Sequence, residues 1–120
     1  MSVYTIITVD VTDPELYAEY VRRVPATVTR HGGRYLVRSN RTVSLAGDWR
    51  PQRVVLLEFP SLDRLREWWS SPEYQALAPI RERSTRAMAL AVEDQSAPEC
   101  YTALGLDPRY GEFEGMEVLA

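Results

Sequence analysis

The sequence predicts an α+β fold of a single domain, with its elements in the order β-α-β-β-α-β. Three observations carry this. The chain has 120 residues, enough for one hydrophobic core and too few for two. Four segments rich in β-branched and aromatic residues are interleaved with two stretches whose apolar residues recur at three- and four-residue spacing. Capping residues, Pro and Gly mark the joints.

Residues 3–11 (Val-Tyr-Thr-Ile-Ile-Thr-Val-Asp-Val) read as the first strand. Thr5, Ile7, Val9 and Val11 share one face; Tyr4, Ile6, Thr8 and Asp10 share the other. Asp13-Pro14 is a helix start, an N-cap residue with Pro at the first helical position. Leu16, Tyr17, Tyr20, Val21, Val24 and Val28 then form one apolar stripe. Pro25 lies inside that stripe and predicts a kink or break. His31-Gly32-Gly33 ends the helix, with Gly32 as the left-handed cap. Residues 34–45 read as the second strand, with Tyr35, Val37, Val43 and Leu45 on one face. Gly47-Asp48-Trp49-Arg50-Pro51 is turn chemistry. Residues 53–59 are nearly all apolar, which predicts a central strand covered on both faces. Ser61 caps a helix carrying Leu62, Leu65, Trp68 and Trp69. Ser71-Pro72 restarts it through Tyr74, Leu77 and Ile80, and Pro79 predicts another break. Residues 86–93 read as the last strand, with Met88, Leu90 and Val92 on one side and alanines on the other.

This order is the ferredoxin-like arrangement, a four-stranded antiparallel sheet with both helical regions on one face. The opposite face is also apolar and must be buried. A second copy packed sheet to sheet is the expected solution, so a homodimer is predicted. Residues 1–95 form the domain. Residues 96–120 form an extension carrying Tyr101, Leu104, Leu106 and Phe113, too apolar for a solvated tail. It is expected to pack on the body or on the partner subunit.

Composition narrows the function. Hydrophobic residues are 45% and charged residues 26%, with a net charge of -3, which gives no reason to expect nucleic acid or an anionic membrane as partner. No apolar run reaches membrane-spanning length and no signal segment opens the chain, so a cytoplasmic protein is expected. All 14 basic residues are arginines, which excludes a lysine base or Schiff base. One cysteine, Cys100, excludes an internal disulfide, and one histidine beside it speaks against a zinc site. No nucleotide- or flavin-binding fingerprint is present. Any chemistry is therefore expected to use no metal and no cofactor.

The spacing of several motifs resembles the bacterial family known as domain of unknown function 1330, in the dimeric α+β-barrel superfamily. The residues are Asp13-Pro14, Tyr17 and Tyr20; His31-Gly32-Gly33-Arg34-Tyr35-Leu36-Val37-Arg38; Gly47-Asp48-Trp49; Arg53-Val54-Val55; Glu58-Phe59-Pro60-Ser61; and Trp68 with Ser71-Pro72-Glu73-Tyr74-Gln75 and Arg81. The likeness covers about residues 1–94. Ser39-Asn40 stands where the family usually has Gly-Gly, Ala46 stands where it has Glu, and the extension is not typical. The resemblance implies the fold and the dimer. Relatives in the superfamily include cofactor-free monooxygenases, lactone isomerases, polyketide cyclases and binding modules.

The residues able to carry chemistry are few. His31 is the one residue of a type whose unperturbed pKa lies near neutrality and is the first candidate acid or base; capping the first helix is the competing reading. Glu58 and Asp10 are carboxylates within strands, Glu58 a candidate catalytic group and Asp10 a candidate substrate-binding one. Glu58 is either a base beside a carbonyl or the partner of Arg34, Arg38 or Arg53. Trp68, Trp69 and Tyr35 offer aromatic walls for a flat ligand. Neighbouring tryptophans point about 100° apart, so only one of the pair can face the core fully. Tyr74 and Arg81 lie two helical turns apart and can hold the oxygen of an enolate. The reading that follows is a small cofactor-independent enzyme acting on an enolisable carbonyl or polyketide-like substrate by cyclase- or isomerase-type acid-base chemistry. The alternatives are a non-catalytic small-molecule-binding dimer and a cofactor-free monooxygenase.

Overall fold

The computed structural model describes residues 2–109. Its elements are β1 (Val3–Val11), α1 (Pro14–Arg30), β2 (Arg34–Ser39), β3 (Arg53–Phe59), α2 (Leu62–Ser70), α3 (Pro72–Ser84), β4 (Thr85–Glu93) and a short α4 (Ala97–Ala103). The four strands form one antiparallel sheet in the order β2-β3-β1-β4, the ferredoxin-like topology. The joints follow the expected chemistry. Asp13 accepts from the Leu16 N–H and Ser61 from the Arg64 N–H. Gly32 takes a φ of 78° after α1, where a side chain would be strained. Gly33 does more than turn the chain: a Cβ there would lie 2.6 Å from the Phe59 ring.

Register decides which residues meet the helices. Val3, Thr5, Val9, Val55, Leu57 and Phe59 are buried beneath them. The core continues through Tyr20, Val24 and Val28 of α1, Leu65 and Trp68 of α2, and Tyr74, Leu77 and Ala78 of α3. The uncovered face is the alternate set, Tyr4, Ile6 and Thr8 with Leu56, Met88, Leu90 and Val92. Met88 is 70% exposed and Leu90 63%. β3 is thus internal to the sheet but closed on one face only within a single chain.

Three local expectations change. β2 stops at Ser39, and residues 40–52 are loop, with Val43 and Leu45 exposed. A bulge between Tyr35 and Val37 sets Tyr35 opposite Leu57 but Val37 opposite Leu56, so the two lie on opposite faces rather than one. Neither Pro25 nor Pro79 breaks its helix. Each removes one N–H, and the carbonyls left over belong to Val21 and Gln75 in exposed turns, where water can bond them. The break between the second pair of helices falls at Ser71 instead, held extended before Pro72. In the extension α4 forms, while Leu104 and Leu106 are exposed; Phe113 lies outside the described residues. Among the described residues, no helix is long and apolar enough to cross a membrane.

Candidate functional site

A cavity of about 40 Å³ lies between α1 and the helix-side face of the sheet, room for on the order of three water-sized groups. Sequence parity explains its walls. Ile7 and Val9 of β1 and Arg53, Val55 and Leu57 of β3 all project to this face. The bulge in β2 returns Tyr35 and Arg38 to it. Above lie Tyr17, Tyr20, Val21 and Val24 from one side of α1, and Trp68 and Arg81 close the end. Val21 and Arg38 are exposed and mark where the cavity meets solvent.

The wall is aromatic and its polar groups are fixed. The Trp68 indole N–H donates to Thr27 Oγ1 at 2.9 Å, and the Thr27 hydroxyl donates to the Val24 carbonyl at 2.7 Å. Trp68 is therefore locked against α1. The Tyr20 and Tyr74 hydroxyls lie 3.0 Å apart in a hydrogen bond, and Tyr17 stacks on Tyr20 at 5.9 Å. Burial pushes Tyr20 far above the ordinary phenol value, helped by the Tyr74 ring beside it. Tyr74 is also raised by burial, against the pull of the Tyr20 hydrogen bond and the Arg81 charge. Burial lifts Tyr35 to about 12, opposed by Arg38. All three are neutral hydroxyls at physiological pH, able to donate a hydrogen bond.

Three arginines line the same space. Arg38 lies over the Tyr35 ring at 4.5 Å and Arg81 over the Trp69 ring at 5.3 Å. Arg53 Nη1 donates to Asn40 Oδ1 at 3.1 Å. The Nε–H groups of Arg53 and Arg81 are buried without an acceptor among the described residues. No carboxylate or imidazole lines the cavity among those residues.

The expected site residues thus divide. Trp68, Tyr35 and Arg81 meet at the cavity, and Tyr74 reaches it through Tyr20. Trp69 is half-buried beneath Arg81 and lines a separate groove with Thr5 and Leu90. His31 caps α1, with Nδ1 2.9 Å from the Thr27 carbonyl oxygen, and is not part of the cavity wall. Glu58 is on the opposite sheet face, where Arg34 Nε donates to Oε1 and holds the carboxyl below the usual range. Asp10 is exposed on that face and accepts from the Gln52 N–H at 2.9 Å. Arg38 and Arg53 do not partner Glu58, because the register turns them to the other side. Tyr17, Tyr20, Arg38 and Arg53 were not expected as cavity residues. For Arg53 the signal is simple parity: it precedes the buried Val55 and Leu57 by two and four residues.

Residues 2–95 match the family described as Domain of unknown function (DUF1330). The chain belongs to the DUF1330 family. No curated protein matches it. Solved structures show the same fold for this DUF1330 chain. The RPA0582 protein of unknown function from Rhodopseudomonas palustris superposes with a TM-score of 0.68 at 19% identity, covering 78% of this chain and 82% of that one. A dimeric ferredoxin-like protein of unknown function from Jannaschia sp. CCS1 gives 0.66 at 12% identity, covering 78% and 100%. SnoaB, a cofactor-independent oxygenase from Streptomyces nogalater, gives 0.58 at 15% identity, covering 78% and 93%. The superpositions establish the shared fold, and identities this low leave the chemistry to the DUF1330 chain's own residues.

Proposed function

We propose that the protein binds a small enolisable carbonyl compound in the cavity beneath α1 and stabilises its enolate without a cofactor. The observation that supports this is the joining of neutral tyrosine hydroxyls and guanidinium groups around one aromatic-walled space. A developing enolate oxygen gains most from donors already fixed in a site with little water. Arg81 supplies charge, the Tyr20–Tyr74 pair supplies oriented hydroxyls, and Trp68 and Tyr35 hold the flat carbon skeleton. With no carboxylate or imidazole among the described lining residues, the carbon-bound proton leaves to water at the open side near Val21 and Arg38. A substrate that is already acidic suits such a site. The cavity volume favours a compact ligand over a polycyclic one. His31, Glu58 and Asp10 keep structural roles in this reading.

The protein acts as a homodimer joined across the open sheet face. The apolar row Met88, Leu90 and Val92 supports this, since exposed apolar patches of this kind mark association surfaces.

Hydrogen–deuterium exchange at the carbon next to a ketone tests the enolate directly and needs no native substrate. Pyruvamide and pyruvate in heavy water, followed by proton NMR, should lose their methyl signal faster with the protein present. Tyr74→Phe should slow that exchange by up to about 10²-fold, and His31→Ala should leave it unchanged. Binding without exchange favours the non-catalytic binding reading, which the missing base supports. A cofactor-free oxygenase would pass through the same enolate and would consume oxygen. If neither compound binds and neither exchanges, the cavity is removed from consideration as the site.

A further inference from the structure

The charge balance of the cavity identifies the ligand class more narrowly. The whole chain carries a net charge of -3, yet the described cavity wall holds three arginines and no acid. Some arginines elsewhere have carboxylate partners: Arg34 has Glu58, Arg23 has Glu19, Arg64 has Glu67. The cavity arginines differ. Among the described residues Arg53 has only the neutral Asn40 amide oxygen. Arg81, with a side chain 17% exposed, has Glu82 at 3.8 Å, and Glu82 is turned largely to water. The Nε–H of each is buried with no acceptor among the described residues.

A buried donor without an acceptor is costly, and a buried charge without a counter-charge more so. Water can satisfy an N–H but cannot neutralise a guanidinium. Arginine does not escape by losing its proton. The anion that fits is planar and takes two parallel N–H bonds, since Nε–H and one Nη–H form a fork matched to a carboxylate. The cavity volume of about 40 Å³ admits a carboxylate head with little more. The rest of a ligand then extends along Tyr35 and Trp68 toward the opening.

We propose that Arg53 and Arg81 form a carboxylate subsite in this cavity, so that the ligand is a small oxo acid and not a neutral ketone or dione. This rests on the reading of the cavity as the binding site for a carbonyl compound. In the bound state the carboxylate supplies the counter-charge that the described cavity wall lacks. The ketone oxygen is left to the tyrosine hydroxyls.

Pyruvate and pyruvamide differ in charge at nearly equal size and so separate the two ideas. Titration of the full chain by ligand-observed NMR should give at least tenfold tighter binding of pyruvate. Arg53→Met and Arg81→Met keep the aliphatic stem and should each erase that preference. Arg34→Met removes a guanidinium from the opposite face and should leave it intact. If a variant fails to fold, the comparison on the unaltered protein still decides. Equal binding of the two compounds overturns the carboxylate subsite and leaves the cavity reading standing. A pyruvate preference that survives both cavity variants also overturns it, because the charge is then recognised elsewhere. Binding of neither compound overturns both.

Discussion

The two faces of the sheet are made from alternate residues of the same strands, yet each is incomplete in a different way. Beneath the helices, Val3, Leu57 and Phe59 are closed off from water, while Arg53 holds a buried N–H with no acceptor among the described residues. On the open face the reverse holds. Glu58 has Arg34 and Asp10 has the Gln52 N–H, while Met88 and Leu90 stand in water. On the readings proposed above, the helix-side face takes a small charged ligand and the open face a second copy of the chain.

The largest expected contrast is in stability. Trp68 is 1% exposed and hydrogen-bonded through its indole, so Trp68→Ala should lower the unfolding free energy by about 3–5 kcal/mol. Met88→Ala, measured at a concentration where the chains are separate, should cost under about 1 kcal/mol. Urea unfolding followed by circular dichroism gives both values. Similar costs would break the distinction between a closed face and a waiting one.

The second contrast is in assembly. Sedimentation at micromolar concentration should give about twice the chain mass of 13.7 kDa for the unaltered protein. Leu90→Arg should return it to the single-chain mass, because a charge in an apolar interface must be desolvated without a partner. A single-chain mass for the unaltered protein would remove the dimer from the account.

Much of the fold was legible because its signals are local. Asp13-Pro14, Ser61 and Ser71-Pro72 cap helices as read, and the apolar stripes locate α1 and α2. The end of β2 was not legible, since Val43 and Leu45 alternate like strand residues but find no neighbour to pair with. Nor was the bulge beside Leu36, which turns Tyr35 and Arg38 to the cavity. Proline was over-read in two helices, where tertiary packing outweighs one lost hydrogen bond. Helical spacing singled out Trp68, Trp69 and Arg81, of which Trp68 and Arg81 line the cavity. Arg53 was missed as a cavity residue because a charged side chain next to Glu58 looks like an ion-pair partner until register separates their faces.

A third contrast concerns the arginines themselves. Without ligand, Arg53→Met should raise stability by about 1 kcal/mol, since it removes an unsatisfied buried donor. Arg34→Met should not, because it strands no buried donor and breaks an ion pair near the surface. Thermal melts of both variants check this, and a lower melting point for Arg53→Met would contradict the unpaired-charge argument.

The smallest effect is on acid stability. Arg34 holds Glu58 below the usual carboxylate range in the folded chain. The pair therefore contributes stability above the unfolded carboxylate value of about 4.3, and the contribution fades as pH falls through the lowered folded value. Glu58→Gln should flatten the acid side of the stability profile and leave ligand binding untouched. An unchanged profile would mean that the pair contributes nothing in solution.

The central claim is that the space beneath α1 receives a small organic anion, and the three tryptophan indole N–H signals test it in one spectrum. Trp68 lines the cavity, Trp69 lies under Arg81, and Trp49 is exposed in the loop before β3. Titrating pyruvate into nitrogen-15-labelled protein should shift the Trp68 signal most, move Trp69 less through Arg81, and leave Trp49 in place. A spectrum in which Trp49 alone moves, or in which none does, would contradict the claim.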